Sequence, residues 1–170
     1  MSSRLMCLVA MLAVCGCIDE SEDARHSVSP GERVPAFDVV DDSGRRWTAD
    51  SLLGHVSLLA FFDTQCPDCQ HELPVLQTVY DAHRVADDLS LLCISRAQLA
   101  DEIAPFWAAH GLTMPYSAQA DRAVYETFTD EGIPFVVIAR PDGVIYSTYT
   151  WLAMPDSAQL SADVNAAGGM

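Results

Sequence analysis

Cys66-Pro67-Asp68-Cys69 is the stretch of this 170-residue chain whose residue types and spacing offer chemistry most directly. Two thiols at i and i+3 share one face of a helix, with Cβ atoms roughly 5–6 Å apart. A disulfide needs about 3.5–4.5 Å, so a modest local adjustment closes the bond. Pro67 suits the first turn of a helix, where its missing N–H costs little. Leu73, Leu76, Tyr80 and His83 then recur at helical spacing. The unpaired N–H groups and positive dipole end of such a helix favour an anion at its entrance. That anion would be the Cys66 thiolate, with Cys69 one turn further in as the resolving thiol. Pro74 is expected to kink the helix.

A structural disulfide and a metal site compete with redox exchange as readings of the pair. Zinc would want two or more further ligands at recognisable spacing, and the candidates His55, His71, His83 and Cys93 are isolated. Haem attachment needs His directly after the second cysteine, where Gln70 stands. No metal or other cofactor is expected. Cys93 lies inside an apolar strand and reads as core. His71 reads as solvent-facing, and Asp63 and Thr64 as turn and capping residues.

The elements that position the pair are legible on either side of it. Val56 to Phe62 is a continuous apolar run, too short for a membrane span and suited to a strand buried on both faces. Leu89 to Ile94 is a second buried strand, which makes a β-α-β unit around the cysteine helix. Upstream, Val34 to Val40 alternates as a strand, Asp42-Ser-Gly44 turns, and Arg46 to Thr48 returns. Ser51 to Gly54 reads as one helical turn. Downstream, Ala97 to His110 has helical spacing up to Gly111, with Pro105 expected to split or kink it. Leu112 to Tyr116 is extended, and Asp121 caps a helix through Phe128. Phe135 to Ile138 and Val144 to Tyr149 are strands joined by Pro141-Asp142-Gly143. Asp156 to Ala167 is a carboxy-terminal helix.

Composition bounds the rest. The formal charge is −15, and all nine basic residues are arginines scattered without a cluster, so nucleic acid is not an expected partner. The amino terminus carries Arg4, an apolar run from Leu5 to Val14, and then Gly16-Cys17. That run is too short to span a bilayer and suits the apolar region of an export signal. Its end resembles a bacterial lipoprotein box, which implies a signal peptide over residues 1–16 and lipidation at Cys17. Residues 17–32 are rich in Asp, Glu and Ser and are expected to form a flexible acidic tether. Residues 33–170 then form one domain, held at a membrane of the cell envelope and facing the periplasm or exterior.

Taken together, Cys66-Pro67-Asp68-Cys69 after a buried strand, Glu72-Leu-Pro74, Phe106 with Gly111-Leu-Thr-Met-Pro115, Gly132-Ile133-Pro134 and Pro141-Asp142-Gly143 resemble the TlpA/ResA branch of the thioredoxin superfamily. The likeness spans about Val34 to Tyr149. It implies a thioredoxin fold, an α/β arrangement with a central mixed sheet flanked by helices, here with an N-terminal β-hairpin extension. It implies an exported thiol-disulfide oxidoreductase, with Cys66 attacking and Cys69 resolving. Pro134 matches a cis-proline facing the cysteines, which would aim the Ile133 backbone at a substrate chain. Pro67 and Gln65 fall with Ile133 on the substrate-facing surface, and Glu72 matches a carboxylate that could relay a proton to the resolving thiol. The partners implied are protein thiols or disulfides and an upstream redox donor, with cytochrome c biogenesis among the family's roles.

Two departures from that pattern matter. Gln65 stands where the family usually has Trp, which removes an aromatic contact surface. Asp68 adds a negative charge beside the forming thiolate, which disfavours it and makes the disulfide less oxidising. The direction favoured is reductant or isomerase over strong oxidant. Two other functions compete. A peroxidase related to peroxiredoxins would oxidise Cys66 to a sulfenic acid, but there Thr usually stands three residues before the reactive cysteine, and Thr64 is two before. A non-catalytic lipoprotein would keep the fold and use a sheet edge or the acidic face to hold a partner.

Overall fold

The order of elements follows from where the chain can bury apolar strands and where proline and glycine stop it. The computed structural model describes residues 26–86 and 88–169. β1 (Asp38–Val40) and β2 (Arg46–Thr48) form an antiparallel hairpin of their own, followed by a single 3-10 turn at Asp50–Leu52. The main sheet comprises β3 (Val56–Phe62), β4 (Leu89–Ser95), β5 (Tyr116–Ser117), β6 (Phe135–Ala139) and β7 (Ile145–Thr150) in the order β5-β4-β3-β6-β7. β3 runs parallel to β4 and antiparallel to β6, so the sheet is mixed, and every residue of β3 is buried. The helices are α1 (Pro67–His83), α2 (Ala100–His110), the short α3 (Ala123–Glu126) and α4 (Ser157–Ala167). α1 and α4 pack against each other, and α4 also touches β3, β6 and β7. This is the thioredoxin fold with an N-terminal hairpin that the sequence predicts.

Successive side chains on a strand point to opposite faces, and the last two residues of β3 anchor both layers. Phe61 meets Phe128 at 4.9 Å between ring centroids, Tyr125 at 5.9 Å and Phe135 at 6.3 Å. Phe62 meets Trp107 of α2 at 4.9 Å. The strand therefore stops at a fixed depth, and the turn that carries the cysteines starts from a rigid base.

Several boundaries differ from the sequence reading for local reasons. The expected strand over 34–40 pairs only from Asp38, because the preceding backbone bonds elsewhere: Val34 N–H donates to Gly143 O at 3.0 Å, and Arg33 bridges Val144. α2 starts at Ala100, because Ser95 Oγ donates to Gln98 O and holds the preceding residues in a loop. Asp121 does accept from Ala123 N–H at 2.9 Å, but the helix it starts ends at Glu126. Helices α1 and α2 run without a break through Pro74 and Pro105, so neither is split there.

Residues upstream of 33 are also joined to the domain. Val28 is 4% exposed and donates its N–H to Phe128 O, Ser27 bridges Thr129, and Gly31 and Glu32 exchange backbone bonds with Ile145. An acidic average composition concealed one apolar anchor and a run of backbone bonds, which need a partner strand rather than apolar side chains. The expected signal peptide, the expected lipidation site Cys17 and the first part of the expected tether lie outside the described residues. No helix among the described residues is long and apolar enough to cross a membrane.

Truncating the anchor at the end of β3 tests this packing. Phe61→Ala is expected to lower the unfolding free energy by about 3–5 kcal/mol, read from the midpoint of denaturant unfolding.

Candidate active site

The turn between β3 and α1 is built by polar groups that satisfy one another. Asp63 Oδ1 accepts from Gln65 N–H at 2.8 Å, and Asp63 O accepts from Cys66 N–H at 3.1 Å. Thr64 is buried, and Gln98 grips it twice: Thr64 N–H donates to Gln98 Oε1 at 2.7 Å, and Gln98 Nε2 donates to Thr64 Oγ1 at 2.9 Å. Gln70 Nε2 closes the turn from the helix side by donating to Thr64 O at 2.7 Å. The reading of Asp63 and Thr64 as turn residues holds, and Thr64 adds a cross-chain lock. Gln98 and Gln70 were not singled out from sequence, because a glutamine outside a motif carries no local signal of its long-range partner.

Cys66 is the N-cap of α1, in extended conformation, and Pro67 is the first helical residue. Both cysteines are unbonded thiols and differ sharply in setting. Cys66 is part-exposed at the surface, whereas Cys69 is fully buried. Burial pushes the Cys69 thiol well above the ordinary range, reinforced by its hydrogen bond with Cys66 and partly offset by one with the Asp63 backbone. Cys66 Sγ in turn donates to Ile133 O at 3.7 Å, and the Ile133–Pro134 peptide is cis. Ile133 and Pro134 are buried, while Gln65, Pro67, Asp68 and His71 are exposed around the thiol. The fold thus brings Cys66, Cys69 and Ile133-Pro134 together from two distant segments.

Glu72 lies one turn beyond Cys69, 2% exposed, and its Oε1 is buried without a hydrogen-bond partner in the protein. Removal from water raises its carboxyl from 4.5 to about 7. A buried, unpaired carboxyl poised near neutrality is a group able to take or give a proton under physiological conditions. Cys93 is fully buried, with Met114 Sδ 3.6 Å from its sulfur. Of the scattered histidines, His55 and His71 are exposed, and His83 is buried with Nδ1 3.0 Å from Asp88 Oδ1. Among the described residues no group of three or more His, Cys, Asp or Glu is placed to hold a metal ion.

Fold and site together define a thioredoxin-like domain presenting a pair of thiols at the start of a helix, opposite a cis-proline. Residues 30–149 match the AhpC/TSA family, and the chain belongs to it. No curated protein matches the sequence. Among solved structures, it is similar to a candidate protein disulfide isomerase from Bacteroides thetaiotaomicron, with 23% identity and a TM-score of 0.76 over 85% of this chain and 96% of that one. It is also similar to a thioredoxin-family thiol:disulfide interchange protein from Chlorobium tepidum, with 20% identity and a TM-score of 0.69 over 84% and 99% of the two chains. A secreted disulfide oxidoreductase of Mycobacterium tuberculosis matches at 24% identity and a TM-score of 0.67 over 77% and 96%.

The burial of Glu72 makes a signed prediction for stability. Between about pH 4.5 and 7 an unfolded chain has ionised this carboxyl while the folded chain retains its proton, so its contribution to stability falls as pH rises through that window. Glu72→Gln, neutral at every pH, is expected to match wild type near the acid end. At pH 8 it is expected to exceed wild type by about 3 kcal/mol in denaturant unfolding. Equal stabilities at both pH values would mean that the carboxyl ionises freely in the fold.

Proposed function

We propose that this protein is an exported thiol-disulfide oxidoreductase that exchanges disulfides with protein substrates through Cys66 and Cys69. The observation that carries the reading is the asymmetry of the pair, one sulfur part-exposed at a helix N-terminus and its neighbour buried beside a carboxyl poised near neutral pH. The family membership and the names of the structural neighbours support it.

In the reducing direction, the Cys66 thiolate attacks one sulfur of a substrate disulfide. The substrate S–S bond breaks, its second sulfur leaves as a thiolate and takes a proton, and a mixed disulfide joins Cys66 to the substrate. Cys69 must then lose its proton, which its burial resists. The Glu72 carboxylate accepts that proton, directly or through a solvent molecule. The Cys69 thiolate attacks Cys66 Sγ, the second substrate thiol departs, and Cys66–Cys69 is left oxidised. Two electrons have passed to the substrate, and an upstream dithiol donor must return them. Ile133, Pro67 and Gln65 contribute the substrate-facing surface, with the Ile133 backbone pairing in strand fashion with the substrate. Asp68 on the exposed first turn tilts the couple towards reduction.

Residues 1–16 would direct export and Cys17 would carry the lipid, which places the domain on a tether at the envelope membrane, in reach of redox partners such as those of cytochrome c maturation. The peroxidase reading gains nothing from Thr64, whose Oγ1 accepts from Gln98 Nε2 and makes no hydrogen bond to Cys66.

The test is a pair of variants. Cys66→Ser is expected to abolish reduction of a protein disulfide, and Cys69→Ser to accumulate a mixed disulfide through Cys66, seen by non-reducing electrophoresis and mass spectrometry. Full activity of Cys66→Ser would overturn the mechanism and leave the fold as a binding module.

A further inference from the structure

An exposed apolar pair follows β7, and its tryptophan lies against the residue that precedes the Ile133–Pro134 peptide. Trp151 and Leu152 follow β7 and remain 45% and 72% exposed, in a turn closed by Ala153 N–H donating to Thr150 O at 2.9 Å. The indole lies so close to Gly132 that a β-carbon there would come within 2.6 Å of its Cδ1 and Nε1. Gly132 is joined directly to Ile133, whose carbonyl accepts from Cys66 Sγ. The bare backbone of Gly132 thus lets an aromatic ring sit one residue from the contact made by the reactive sulfur.

We propose that Trp151 and Leu152 are the side-chain recognition surface of the Cys66 site, and that its occupant is an extended, cysteine-containing segment of another protein with a bulky apolar residue near the cysteine. The inference rests on the exchange reading above and deepens it. A segment that brings its sulfur to Cys66 while running along Ile133 must pass over Gly132, and side chains two apart on an extended chain face the same way. The residue two positions from the substrate cysteine therefore meets the indole. Burial of an aromatic ring against an apolar side chain supplies much of the energy at such contacts. The surface takes over the role that an aromatic at position 65 would have played. Exposed Asp68 and Glu131 flank the path and work against acidic segments.

Two probe peptides test it, each with one cysteine and differing only in Leu or Ser two positions away. Binding is read on the purified full chain, wild type and variants alike, from the fluorescence anisotropy of a dye on the peptide, using versions in which Ser replaces the cysteine so that no exchange occurs. Exchange is read separately with the disulfide-linked dimers of the cysteine peptides. Wild type is expected to favour the Leu peptide about tenfold in binding, and the Leu dimer to be reduced correspondingly faster. Trp151→Ala, and Gly132→Ala by displacing the indole, are each expected to bring both ratios close to one. An unchanged ratio in Trp151→Ala, an equal loss for both peptides, or no binding of either by wild type would overturn the proposal. If the Leu preference in binding is present but neither dimer is reduced, the exchange reading fails and the surface stands. Reduction without preference fails the surface alone.

Discussion

The site depends on one constraint, that a strand buried on both faces must end abruptly and release its chain into a helix N-terminus. β3 can do this because Phe61 and Phe62 lock its end into both layers of the domain. The four residues that follow have to satisfy their polar groups without a ladder partner. They do so through Asp63, Gln70 and Gln98, and the grip of Gln98 on buried Thr64 ties the turn to the end of β4 and the start of α2. Cys66 is therefore held at the surface while Cys69, three residues on, falls inside.

That difference in depth organises the chemistry. In the proposed exchange, the thiol at the rim meets the substrate, and the thiol in the core is kept protonated until a base acts on it. Glu72 is the group proposed to act, and keeping it costs stability, since a carboxyl buried without a protein partner is a liability. Burial is the largest cause of both perturbations; it alone raises the carboxyl, and Cys66 adds to it at the thiol.

The sequence made the parts governed by local pattern legible. The apolar run of β3, the i, i+3 cysteines behind a helix-starting proline, the glycine that ends α2 and the turn between β6 and β7 all carry their own signals, and each element stands where it was read. What escaped is what depends on contacts between segments far apart in the chain. Gln98 sits 34 residues from Thr64 and belongs to no motif. Val28 docks against Phe128 from within a stretch whose average composition is that of a tether. Trp151 looks like an ordinary strand-end aromatic until Gly132 is found beneath it. Glu72 was named through a likeness to a family, and its spacing from Cys69 alone could not have told a buried carboxyl from a surface one.

The reduction potential of the Cys66–Cys69 couple, equilibrated against dithiothreitol or glutathione buffers, bears most directly on this account. A buried resolving thiol and an acidic first turn predict a reversible two-electron couple towards the reducing end, near roughly −270 mV rather than about −120 mV. A couple at the oxidising end would reverse the direction of transfer argued above. Failure of Cys66 and Cys69 to form a reversible intramolecular disulfide would contradict the exchange mechanism itself.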